Sequence, residues 1–89
     1  MKMTYSAHCE KRASQRGISK KRIECCVKYG RVGHSMKAMF YFIGNKEIKQ
    51  FSKYDKDIIN YNGTVVIVEN GVIETTFINK NFSKNFKWN

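Results

Sequence analysis

The chain has no proline, one tryptophan and only seven acidic residues among its 89 positions. With no proline, and no repeat or low-complexity block, it carries no recognisable linker and reads as one domain, too short to build two cores. Seven scattered carboxylates do not supply the clustered acids of a two-metal nuclease. The three cysteines are an odd set, with Cys25 and Cys26 adjacent, which excludes a disulfide framework and predicts a reducing, cytoplasmic setting. The longest apolar run, Ala38–Ile43, falls far short of the ~20 residues of a membrane span, so no membrane association is expected. Met1-Lys2-Met3-Thr4 passes directly into polar sequence, which predicts no signal peptide. A Gly-rich phosphate loop, a Gly-x-Ser-x-Gly elbow and a Cys-x-x-Cys pair are also missing. His8, Cys9, Cys25, Cys26 and His34 are the available zinc ligands. None of them has paired spacing, so the cysteines read as small core residues, and neither metal nor cofactor is predicted.

What the chain does have is positive charge, a formal net of +10. The first 37 residues carry +8 of it, and all four arginines (Arg12, Arg16, Arg22, Arg31) fall within the first 31. A compact basic domain suits a polyanionic partner, with nucleic acid ahead of a membrane surface, and the planar guanidinium fork fits phosphate. The plainer alternative is a solvated basic surface.

Aromatic and β-branched residues make up enough of the chain for a core. Ser6 reads as the N-cap of a helix ending at Arg16-Gly17. Ser19 reads as the N-cap of a second helix, with Ile23, Cys26 and Val27 as its apolar stripe and Gly30 at its end. From Ala38 the period falls to two. Ala38–Ile43 reads as a strand, Gly44-Asn45 as a tight turn and Lys46–Phe51 as the returning strand. Ser52–Asn60 is open between loop, short helix and edge strand. Asn70-Gly71 marks a hairpin between Thr64–Val68, apolar enough to be a central strand, and Val72–Ile78. The predicted fold is α+β, with two N-terminal helices on one face of an antiparallel sheet of about four strands. In the tail, Lys80, Phe82, Lys84, Phe86, Lys87 and Trp88 interleave cations and rings. Such a tail can stack bases and hold phosphates, or it can dock onto the core.

The first helix carries the chemistry. His8, Arg12 and Arg16 recur at i, i+4, i+8, beside the helix's single apolar stripe of Cys9 and Ala13. If that stripe faces the sheet, the three polar residues line the seam, half-buried. An imidazole can move a proton near neutral pH, and guanidinium groups can stabilise charge on a phosphate, a combination suited to RNA cleavage by the 2′-hydroxyl without metal. The plainer alternative makes His8 a helix-start residue and the arginines surface cations. Tyr41, on the first strand, is a further candidate for the pocket. Lys37, Lys49 and Lys53 are candidates for flanking phosphates, as are Lys80, Lys84 and Trp88.

The run from Ser6 to Ser19, with Tyr29-Gly30 closing the next helix, resembles the signature of a family of small, mostly uncharacterised bacterial proteins. That signature has the form Ser-x-His-Ala-x-x-Arg-x-x-x-Arg-Gly-Ile. Phe40–Lys46 and Gly71–Asn79 resemble its strand motifs. The resemblance implies a fold similar to the RelE and ParE toxins and related bacterial RNase toxin domains. It also implies metal-independent RNA cleavage or inhibition of a nucleic-acid machine, with an antitoxin or immunity protein covering the site. The expectation drawn from it is a toxin-like endoribonuclease acting on RNA, including ribosome-bound mRNA, and neutralised by an acidic antitoxin or immunity protein. The matching positions are His8, Arg12, Arg16 and the strand residue Thr75. Cys9 stands where the family has alanine, and Ile78 where a basic residue is expected. The alternative function is a non-catalytic module of the same fold that binds nucleic acid or a protein partner.

Overall fold

A computed structural model describes residues 3–84 of the chain. Its elements run β1 (Thr4–Tyr5), α1 (Ala7–Arg16), α2 (Lys20–Tyr29), β2 (Arg31–Ser35), β3 (Ala38–Phe42), α3 (Asn45–Phe51), β4 (Thr64–Glu69) and β5 (Val72–Ile78). Short 3-10 turns lie at Lys56–Asn60 and Phe82–Lys84. The class is mixed α+β, with three α-helices and one five-stranded sheet among the described residues. None of these helices is long and apolar enough to cross a membrane.

The two predicted helices form as their caps dictate. Ser6 Oγ accepts from the Cys9 amide at 3.0 Å and Ser19 Oγ from the Arg22 amide at 3.1 Å. Gly17 ends α1 in the left-handed region at φ 65°. Cys9 and Ala13 of α1, with Ile23, Cys25 and Cys26 of α2, are buried against Val66 and Ile73 of the sheet. Burial pushes the Cys25 thiol up to about 11 and raises Cys9 and Cys26 as well, so all three remain protonated packing groups.

The sheet differs from the expectation of four antiparallel strands. Its order is β1-β5-β4-β3-β2, and β1 pairs with β5 in parallel, which makes the sheet mixed. β4 is central, with Thr64, Val65 and Val66 fully buried. The second edge strand, β2, had no alternation to betray it, because an edge strand of Arg-Val-Gly-His-Ser buries only Gly33. The stretch read as a returning strand is helix α3. Glu47 accepts the Gly44 amide at 2.8 Å, and Ile48 and Phe51 repeat at helical spacing, so Gly44-Asn45 starts a helix instead of turning a hairpin. The strand actually paired with β3 on that side is β2. The open segment resolves into a loop and the Lys56–Asn60 turn.

The Asn70-Gly71 hairpin forms as predicted, with φ of 53° and 74°. The strand after it holds a bulge: Ile67 pairs with Thr75 but Val68 pairs with Ile73, leaving Glu74 extra. The bulge puts Ile73 and Thr76, three apart, on the same face under the helices, both buried. The opposite face carries its own aromatic layer. Phe82 lies 6.0 Å from Phe40, 5.8 Å from Phe42 and 6.0 Å from Phe77, ring centroid to ring centroid.

Candidate functional site

α1 runs alongside β5. The Ser6 amide donates to the Ile73 carbonyl at 2.9 Å at its start, and Arg16 Nη1 donates to the Thr76 carbonyl at 2.9 Å at its end. His8, Arg12 and Arg16 share one stripe, as expected, but the stripe is exposed and not half-buried. Each lies one residue from the inward-facing row, or at its end, and one residue is 100° of helix rotation. That is enough to turn His8 and Arg12 past the seam into solvent, while the exposed Arg16 reaches back to the Thr76 carbonyl. At 1.5 Å per residue the row extends about 12 Å, so His8 and Arg12 can reach one phosphate and Arg16 the next. Arg16 also lines a groove of about 570 Å³ with Phe77, Ile78 and Asn79.

The sheet residues do not join this row. Thr75 lies directly opposite Ile67, so it projects from the sheet face away from α1, while its neighbour Thr76 points under the helices and donates to the Val65 carbonyl at 2.9 Å. The bulge at Glu74 sets this parity, and no sequence signal announces it. Tyr41 is on the helix side but on β3, two strands from β5 or about 10 Å, packed against the core with its hydroxyl 4.0 Å from Met39 Sδ.

Two of the four arginines are structural. Arg22 Nε donates to Thr64 Oγ1 at 2.7 Å, its guanidinium lies 5.5 Å from the Tyr61 ring centre, and burial lowers its pKa. Arg31 grips the buried Glu47 with two nitrogens, at 3.2 and 3.4 Å. Lys21 is paired with Asp57.

The predicted phosphate-holding lysines are scattered. Lys37 sits at the β2–β3 turn, one end of the sheet, with Lys49 on α3 and Lys53 against the Tyr54 ring. Trp88 lies outside the described residues. Lys80 and Lys84 do come together, in a cleft of about 400 Å³ at the α3 end of β3, where Lys46, Arg31, Asn45, Asn62 and Asn81 also line the wall. Lys46 and the asparagines were missed because 16 to 35 residues of chain separate the contributing segments. Only the fold-back of the chain after β5 unites them. Among the described residues, no group of three or more His, Cys, Asp or Glu side chains is placed to hold a metal ion.

In comparisons with protein-family models, curated proteins and solved structures, nothing matches this chain.

Proposed function

We propose that the protein is a toxin-like ribonuclease that cuts single-stranded RNA without metal from the exposed row on α1, in a fold of the RelE and ParE kind. The observation that supports this reading is the row itself: a helix whose inward side is only Cys9 and Ala13 presents His8, Arg12 and Arg16 outward, in reach of consecutive phosphates. In this reading His8 takes the proton of a ribose 2′-hydroxyl. The O2′ attacks phosphorus, the P–O5′ bond breaks, and the products are a 2′,3′-cyclic phosphate and a 5′-hydroxyl that receives its proton from solvent. Arg12 stabilises the charge on the non-bridging oxygens, and Arg16, braced on the Thr76 carbonyl, holds the neighbouring phosphate. The cytoplasm is the setting this reading requires, and an acidic antitoxin or immunity protein would neutralise the same row.

A binding-only module is the second reading, favoured by the separation of Thr75 and Tyr41 from α1. Incubation of 5′-labelled single-stranded RNA with the purified protein in EDTA tests both. Cleavage to cyclic-phosphate ends is expected, with His8→Ala slowing it at least about 100-fold, the usual worth of a positioned acid–base group. Because His8 is exposed, stability should change by less than about 0.5 kcal/mol. Bound but uncut RNA would support the binding module, and undiminished cleavage by His8→Ala would remove His8 from the mechanism.

A further inference from the structure

The cleft at the end of β3 is separate from the α1 row, and its construction is specific. β5 runs out at Ile78, and the Asn79 amide donates to the Gly63 carbonyl at 2.8 Å. Gly63, at φ 87°, lies so close to Lys80 that a Cβ there would come within 2.8 Å of the lysine Cγ and 3.1 Å of its backbone nitrogen. The chain then crosses the helix-free face and is pinned by Phe82 among Phe40, Phe42 and Phe77. Lys80 and Lys84 thereby flank a half-buried ring along the chain and line the same cleft as Lys46 from α3. Glu47, the neighbour of Lys46 in the chain, is buried and already engaged by Arg31 and the Gly44 amide, and none of the residues lining the cleft is acidic. Asn62 and Asn81 add neutral hydrogen-bonding groups to the wall. With three lysines in its lining and no acid, the cleft offers an anion favourable electrostatics.

The groove beside α1 ends on Asn79, and the cleft begins at Lys80, the next residue. Arg16 on one side, and Lys80, Lys84 and Lys46 on the other, therefore line two openings whose walls meet at adjacent residues of the chain.

We infer that this cleft binds the phosphodiester backbone of single-stranded RNA, holding the strand several nucleotides from the α1 row. The inference deepens the proposed function by assigning the flanking contact, but its test does not depend on cleavage. A fluorescent 2′-O-methyl RNA 12-mer, which lacks the attacking hydroxyl and cannot be cut, is titrated in EDTA at several salt concentrations. The triple variant Lys46→Gln/Lys80→Gln/Lys84→Gln should raise Kd at least tenfold. It should also flatten the slope of log K against log salt by about 2, because each phosphate contact to a single strand contributes about 0.7. The control Lys20→Gln/Lys28→Gln/Lys56→Gln removes the same charge elsewhere and should change Kd less than threefold. Equal weakening by the two triple variants, or an unchanged slope in the cleft variant, overturns the assignment. A 12-mer with a 5′-phosphate should bind like one with a 5′-hydroxyl. A tenfold preference for the phosphorylated end would overturn the backbone assignment in favour of a terminal-phosphate site. Absence of cleavage of ordinary RNA, by contrast, would defeat the ribonuclease reading and leave these binding results standing.

Discussion

Tyr5 shows how the interior of this small fold is finished at the level of single atoms. Its ring packs against the core and lies 5.2 Å from the Lys20 ammonium, yet its hydroxyl is buried with no hydrogen-bond partner among the described residues. Burial, with Glu24 second, raises its pKa, so the group stays a neutral, unpaired phenol. A buried polar atom without a partner loses its water and gains nothing in exchange. Tyr5→Phe keeps the ring and removes that atom, so urea unfolding should show stability unchanged or raised by up to about 1 kcal/mol. A loss of more than 1 kcal/mol would mean that the hydroxyl is satisfied after all. The arginines make the complementary point about what single residues reveal. In the sequence all four look alike, and an enrichment of guanidinium groups in the first 31 residues reads as a phosphate surface. Folding divides them. Arg22 and Arg31 find Thr64 and Glu47, partners 42 and 16 positions away, and become internal braces. Arg12 and Arg16 stay at the surface: the facing strand carries one acid, Glu74, and yet the bond Arg16 makes to that strand goes to the Thr76 carbonyl. The α1 row was legible because i, i+4 spacing is local information. The fate of each guanidinium was not, because its partner is set by topology.

At the scale of elements, the same division holds. α1 and α2 were readable from Ser6, Gly17 and Ser19, and the β4–β5 hairpin from Asn70-Gly71, since caps and two-residue turns are written in adjacent residues. α3 misread as a strand shows the limit: Ile48 and Phe51 are its only large apolar residues, and seven residues give barely two turns of period to detect. β1 and β2 exist because a neighbouring strand recruits them, so they are invisible until that neighbour is placed. In the described part of the tail, the docking reading applies to Phe82. Phe82 docks and Lys84 stays outside, so alternation of ring and cation produces a pinned segment that displays charge. Phe82→Ala tests that coupling. Removing a half-buried ring that touches three others should cost about 2–4 kcal/mol in denaturant unfolding. It should also weaken 12-mer binding, although Phe82 lies under the cleft and not in its wall. Phe82→Leu, which still fills the space, should recover most of both. Lost stability with undiminished binding at temperatures where the variant remains folded would show that Lys80 and Lys84 do not need the pin.

For the molecule as a whole, the dominant fact is a formal charge of +10 on 89 residues. Among the described residues the ion pairs Lys21–Asp57 and Arg31–Glu47 engage acids already counted in that net, so the excess of ten cations stands. The compact state therefore carries self-repulsion that the more expanded unfolded chain relieves. Two consequences of opposite sign follow. Raising salt from about 20 to 200 mM screens that repulsion, since the Debye length falls from above 20 Å to below 10 Å, so the Tm of the free protein should rise. A bound polyanion relieves the same repulsion specifically. The uncleavable 12-mer at 100 times its Kd should add about 2.7 kcal/mol, and hence about 10 °C or more in Tm for a domain of this size. That second gain must shrink across the same salt range, because binding depends on counterion release. The two melting curves, with and without RNA, should therefore converge from below as salt increases. Parallel curves would indicate that the ligand is held by something other than charge. A free-protein curve that falls with salt would mean that the lysines and arginines are locally compensated and that the net charge does not act on the fold.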